Sequence, residues 1–207
     1  MLDQALKDQL KTYLDRINRP VLLVGALDDS DASQGIRELL AEIASLSGKI
    51  SVTERRGEGG RVPSFAVRSP GQHIELAFAG LPMGQQFTSL VLALLQVGGH
   101  APREAPELLE RARRLKGAYS FETYFAQDCQ SCPEAVQALN LLAILNPSVK
   151  HVSIDGALFP DEVRQREIQM VPKIYLNGEF FDNGRMGLQE LLDKLSATAG
   201  GVQAPTA

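Results

Sequence analysis

Apolar residues recur along the chain in two rhythms, the spacing of a helix face and the short run of a buried strand. Leu2, Leu6, Leu10, Leu14 and Ile17 fall on one face of a helix that must end before Pro20. Val21-Leu22-Leu23-Val24 is apolar throughout and short enough for a buried strand. Asp28-Asp29-Ser30-Asp31-Ala32-Ser33 then offers a loop and cap for a helix carrying Ile36, Leu39, Leu40, Ile43 and Leu46. Ile50-Ser51-Val52 predicts a second strand, and Arg55 to Arg61 a flexible, glycine-rich turn. Residues 62–67 and 74–78 read as a third and fourth strand around Ser69-Pro70-Gly71. Gly84 opens a helix through Leu90, Leu94 and Val97, closed by Gly98-Gly99.

The same order of elements then begins again. Glu104 to Leu115 is a charged helix, and Tyr119 to Phe125 alternates as a strand should, rich in aromatic and β-branched residues. Val136, Leu139, Leu142, Ala143 and Leu145 give the next helix, broken by Asn146-Pro147, before a strand at 149–154 and a short helix at 161–169. Residues 171–176 and 179–181 form two strands around the hairpin signal Asn177-Gly178. Gly184 precedes a last helix with Met186, Leu188, Leu191, Leu192 and Leu195. Val62-Pro63 ahead of one strand matches Val171-Pro172 ahead of another, and Gly80 answers Gly184. With Leu46 set against Leu145, Ser30 and Ser33 stand where the other copy has Cys129 and Cys132. The chain is therefore expected to hold two copies of one α/β fold at 1–102 and 103–197, with a flexible tail at 198–207 rich in Gly, Ala, Pro and Thr.

Composition narrows the classes. The chain has 207 residues, 44% hydrophobic and 22% charged, ordinary for a soluble globular protein. A net charge of −4 argues against nucleic acid as a partner, and no apolar run is long enough to span a bilayer. The first residues mix charge with apolar side chains, unlike a signal peptide, so a reducing compartment, the cytoplasm, is expected.

The chemistry centres on Cys129-Gln130-Ser131-Cys132, which contains the only two cysteines. They lie where the strand pattern yields to the helix pattern, with Pro133 in the first helical turn, where its missing N–H costs nothing. A structural disulfide closing so short a loop constrains the unfolded chain little. Half a zinc site is disfavoured, since no second cysteine pair exists and His73, His100 and His151 lack ligand spacing. Free N–H groups and the positive end of the helix dipole favour thiolate, the attacking form. Cys129 is accordingly expected to be the nucleophile of a redox pair and Cys132 its resolving partner. Asp128 reads as a solvated loop acid. A non-catalytic docking module with a vestigial dithiol is the rival class.

Each half resembles a thioredoxin fold, a sheet flanked by helices with CxxC at a helix N-terminus. That resemblance implies a cis-proline beside the dithiol and assigns the place to Pro172. The whole chain further resembles the N-terminal region of the flavoprotein component of bacterial alkyl hydroperoxide reductase. The residues that carry this include Glu38-Leu39-Leu40-Ala41-Glu42-Ile43-Ala44, Phe87-Thr88-Ser89-Leu90-Val91-Leu92-Ala93-Leu94-Leu95, Gly98-Gly99-His100, Phe121-Glu122-Thr123-Tyr124 and Val136-Gln137-Ala138-Leu139-Asn140-Leu141. The resemblance implies two tandem thioredoxin folds with a dithiol only in the second, which takes electrons from a C-terminal FAD- and NADH-binding part and passes them to a two-cysteine peroxiredoxin. The chain departs from the family at Gln130-Ser131, often His-Asn there, and at Gln86, where an acidic residue is common. Gly57-Glu58-Gly59-Gly60 is no dinucleotide fingerprint, so no cofactor is expected in this chain itself. The runner-up within the enzyme class is a stand-alone protein disulfide oxidoreductase of the same tandem architecture.

Overall fold

The computed structural model describes residues 2–56 and 60–200, with no account of the side chains of residue 56 and of 198–200. The first helix, α1 (Gln4–Leu14), begins where the Asp3 carboxylate accepts the Leu6 N–H at 2.8 Å. There follow β1 (Val21–Leu27), α2 (Asp31–Ser45), β2 (Ile50–Arg56), β3 (Ser64–Arg68), β4 (Glu75–Ala79) and, after a 3-10 turn at Gly84–Gln86, α3 (Phe87–Val97). The second set is α4 (Pro106–Arg114), β5 (Tyr119–Phe125), α5 (Cys132–Leu145), β6 (Val149–Asp155), α6 (Pro160–Gln165), β7 (Lys173–Leu176), β8 (Glu179–Asn183) and α7 (Leu188–Gly200).

The eight strands of the described residues form one sheet in the order β2-β1-β3-β4-β6-β5-β7-β8. The first four and the last four repeat one internal order, with a parallel and then two antiparallel pairings in each. This is the duplicated α/β pattern expected from the order of elements. The two copies are sewn together by β4 and β6, which pair in parallel from Leu76↔His151 to Ala79↔Ile154.

Alternation along the strands divides the buried side chains between the two faces. One face carries the large cluster, in which Leu10, Leu39, Leu94, Leu142 and Leu191 from five helices meet Leu23, Val67, Leu76 and Phe121 from the strands. The other carries a small cluster of Ala79, Tyr124, Ile154 and Tyr175, packed under α6 by Phe159, Val163 and Ile168.

Two boundaries differ from expectation. β2 runs to Arg56 because all seven of its residues pair with β1, so the strand takes two residues of the predicted turn. α7 continues to Gly200, past the expected start of the tail at 198, through a segment begun by the good helix former Ala197. The glycines at 57 and 59 and the rest of the tail, 201–207, lie outside the described residues.

Candidate functional site

β5 delivers the chain to the C-terminal edge of the sheet, and a short loop turns it into α5. In that loop the Cys129 N–H donates to the Ala126 carbonyl at 3.2 Å. Ser131 occupies the N-cap of α5 without a side-chain capping bond, Cys132 is the first helical residue, and Pro133 sits in the first turn as expected. Cys129 and Cys132 are bonded to each other, with their Cα atoms 5.5 Å apart. The two sulfurs are not equivalent: Cys132 is fully buried, whereas Cys129 is partly exposed. Cys129 is thus the sulfur of the pair that is open to solvent.

The third expected residue joins them. The Val171–Pro172 peptide is cis, and the Val171 carbonyl lies 3.7 Å from Cys129 Sγ. Met170, the residue before Val171, is 59% exposed, an apolar side chain left open on the same loop. Ser131 Oγ lies 3.6 Å from Cys129 Sγ. Asp128 is exposed. The Glu134–Arg185 ion pair at 3.2 Å near the start of α5 is solvent-exposed and adds little.

The first half repeats this geometry without its chemistry. Val62–Pro63 is also cis, and the Gly80 N–H donates to the Pro63 carbonyl at 3.1 Å just as the Gly184 N–H donates to that of Pro172 at 3.0 Å. Both glycines adopt positive φ, 108° and 91°. Ser33 is buried like Cys132, but Ser30 caps α2 by accepting the Ser33 N–H at 3.2 Å. Both hydroxyls also donate to Asp28 at 2.5 Å. Those bonds, that from Ser30 first, hold the Asp28 carboxyl down at about 2. The cluster is a helix cap.

Three further features of the surroundings depend on packing between distant parts of the chain. The 3-10 turn at Gly84–Gln86 lies against the loop before Cys129, where the Gln85 N–H donates to the Gln127 carbonyl at 2.8 Å. Gln86 is buried there; its side-chain carbonyl accepts from Ser89 at 3.1 Å and its amide nitrogen has no hydrogen-bond partner among the described residues. Deeper in the second half, His151 lies between Thr123 Oγ1 (3.0 Å) and Asn140 Oδ1 (2.8 Å), and burial pushes its pKa down to about 3. Among the described residues no group of three or more His, Cys, Asp or Glu side chains is arranged to hold a metal ion.

Known proteins share both the sequence and the shape. No protein-family model matches the chain. The alkyl hydroperoxide reductase component AhpF of Pseudomonas putida is 56% identical over 204 residues, covering 99% of this chain and 39% of the relative. AhpF of Escherichia coli is 48% identical over 199 residues, 96% of this chain and 38% of the relative. The chain thus spans less than two-fifths of the length of these curated relatives. Among solved structures, the N-terminal domain of Enterococcus faecalis AhpF superposes with a TM-score of 0.87 at 24% identity, covering 94% of this chain and all of that one. A protein disulfide oxidoreductase from Aeropyrum pernix superposes at 0.81 with 21% identity, covering 99% and 97%. Those two likenesses show the fold, two thioredoxin-like units in tandem.

Proposed function

Because the chain belongs to the AhpF family of alkyl hydroperoxide reductase components, matching its N-terminal region, we propose that it is that enzyme's electron-shuttling module. On this reading it takes two electrons from a flavin-linked dithiol in the FAD- and NADH-binding remainder of the parent protein. It delivers them to the disulfide of a two-cysteine peroxiredoxin in the cytoplasm. Residues 1–102 and 103–197 are its two thioredoxin-like units, and only the second reacts.

The observation that carries the reading is the inequality of the two sulfurs beside the Val171–Pro172 loop. The partly exposed Cys129, as thiolate, attacks one sulfur of the partner's disulfide, and the partner's other sulfur leaves as thiolate. The buried Cys132 thiolate then attacks Cys129 within the mixed disulfide. The second partner thiolate is released, and the Cys129–Cys132 bond seen in the structure is formed. A helix N-terminus beside the reacting pair favours the thiolate form through both steps. Pro172 brings no N–H to the edge that faces the dithiol, so a partner strand can lie there without meeting an orphaned donor. The exposed Met170 on the same loop gives a partner apolar surface to cover.

Reconstitution tests the reading. The chain is mixed with NADH and oxidised peroxiredoxin, and the flavoprotein remainder is then added. No NADH is consumed before that addition and steady consumption follows it. Consumption beforehand, or none afterwards with the dithiol shown to be reducible by dithiothreitol, overturns it.

A further inference from the structure

The first half has no thiols, yet it touches the loop that leads to Cys129 and the helix α6 that leads to the Val171–Pro172 loop. Gln127, two residues before the nucleophile, is held by its main chain and its side chain at once. Its carbonyl accepts the Gln85 N–H at 2.8 Å, and its side-chain amide donates to the Leu81 carbonyl and to Asp155, both at 3.2 Å. The approach is so close that a Cβ added to Gly84 would lie 2.5 Å from the Gln127 carbonyl oxygen, at a residue whose φ is +59°. Only glycine fits there.

The second grip is on the opposite face of the sheet. Arg61, one residue before the first half's own cis peptide, reaches across to α6. Its Nε and Nη2 donate to both carboxylate oxygens of Glu162 at 2.6–3.0 Å, and Nη2 also donates to Glu122 on β5 at 2.6 Å. Tyr124 donates its hydroxyl to Glu162 at 2.5 Å. Arg166, the residue that ends α6, pairs with Glu122 at 2.7 Å and stacks over the Tyr175 ring at 4.3 Å. Burial works against the Arg61 charge, and the bonds to Glu162 and Glu122 more than offset it, so the guanidinium stays charged. From Arg166 the chain runs directly to Met170, Val171 and Pro172. A forked, planar donor fixes a carboxylate in position and orientation, which a point charge does not.

We propose that the thiol-less half is the positioning frame of the dithiol, with Gly84 and Arg61 as positioning residues that fix the two loops between which Cys129 sits. The proposal deepens the function above and rests on its assignment of the reacting pair. Geometry at Cys129 sets how strained the oxidised pair is relative to the reduced one, and how the Val171 carbonyl meets the sulfur. Moving either loop therefore changes the exchange equilibrium itself, in addition to stability.

The experiment uses the whole 207-residue chain and needs no peroxiredoxin or flavoprotein, so failure of the partner assignment leaves it intact. Each variant is equilibrated with mixtures of reduced and oxidised glutathione, and the fraction of Cys129–Cys132 disulfide is read after acid quench. Gly84→Ala and Arg61→Gln each shift the equilibrium constant by about threefold or more, equivalent to ~14 mV for a two-electron couple. Arg61→Lys, which restores the charge without the fork, returns part of that shift. Leu40→Ala opens a cavity in the first half's core under β1, away from both loops; it lowers the urea midpoint and leaves the constant unchanged. If Gly84→Ala does not fold, Gln127→Ala, which deletes the side-chain bonds to Leu81 and Asp155, takes its place. Loop variants that lower the midpoint while keeping the wild-type constant overturn the proposal, as does a shift of equal size in Leu40→Ala.

Discussion

His151 makes a sharp test of the packing beneath the dithiol helix. The side chain is 3% exposed and sits between β5, β6 and α5, bonded to Thr123 and Asn140, so the ring is neutral in the folded chain. With Asn140 Oδ1 as acceptor the proton is on Nδ1, and Nε2 accepts from the Thr123 hydroxyl. Burial pushes the folded pKa from 6.5 down to about 3. Below pH 6.5 the unfolded chain therefore binds a proton that the folded chain refuses, and stability falls as pH falls, by about 1.4 kcal/mol per unit. Between pH 7.5 and 4.5 the loss sums to about 2.5 kcal/mol, a large fraction of an ordinary domain's stability. It is nearly the same for any folded value well below 4.5. The carboxyls of Asp28 and Glu42, held at about 2, and those of Glu54, Glu162 and Asp193, also held down by their hydrogen bonds, begin to lose their linked stability only toward the acid end of this window, and do so alike in wild type and variant, so the difference between the two slopes isolates His151. Urea titrations at pH 7.5, 6.5, 5.5 and 4.5, on wild type and on His151→Gln, measure the slope. The expected result is a slope steeper in wild type than in the variant between pH 6.5 and 4.5, by about 1.4 kcal/mol per unit, whatever the variant's absolute stability. Equal slopes in the two proteins would refute the buried, neutral imidazole.

Three further outcomes follow from the same geometry. Ser30→Ala with Ser33→Ala removes the α2 cap and lowers stability by about 1 kcal/mol, while the rate of disulfide exchange in a dithiothreitol-coupled assay stays at the wild-type value. Gly80→Ala costs more in urea midpoint than Gly184→Ala. Both residues have positive φ, but an added Cβ at 80 meets Asp155 Cβ at 2.7 Å and one at 184 meets nothing within 4 Å, so the first should lose roughly 1–3 kcal/mol beyond the backbone term they share. Glu162→Ala, which removes the carboxylate that Arg61 and Tyr124 share, leaves a half-buried guanidinium short of partners and lowers the urea midpoint more than Asp161→Ala, whose partner Arg164 is solvent-exposed.

The parts of this molecule legible in its sequence are those set by local pattern. The strand-to-helix switch around Cys129 and Cys132 follows from the change in apolar period, and the repeat follows from Val62-Pro63 against Val171-Pro172 and Gly80 against Gly184. The matching hydrogen bonds to the two proline carbonyls give that correspondence a physical basis. What stays hidden depends on contacts far apart in the chain. Nothing in residues 75–79 or 149–155 says that β4 and β6 meet, because any strand edge offers the same backbone donors and acceptors. Arg61 sits in a stretch that reads as a glycine-rich turn, and its partners at 122 and 162 are ordinary charges until folding brings them together. Gly84 reads as a helix opener; its closeness to Gln127 is visible only in three dimensions. His151 reads as one of three scattered histidines, and its burial comes from the face of β6 that it occupies.

The central claim is that Cys129 attacks a peroxiredoxin disulfide and Cys132 releases it. The most direct measurement mixes reduced Cys132→Ser chain with oxidised peroxiredoxin, quenches with acid and maps the covalent adduct by mass spectrometry. The account predicts a one-to-one mixed disulfide through Cys129 that persists because the buried resolving sulfur is gone, and no adduct from Cys129→Ser under the same conditions. An adduct trapped by Cys129→Ser through Cys132, or none from either variant while the wild-type dithiol is competent, would contradict it.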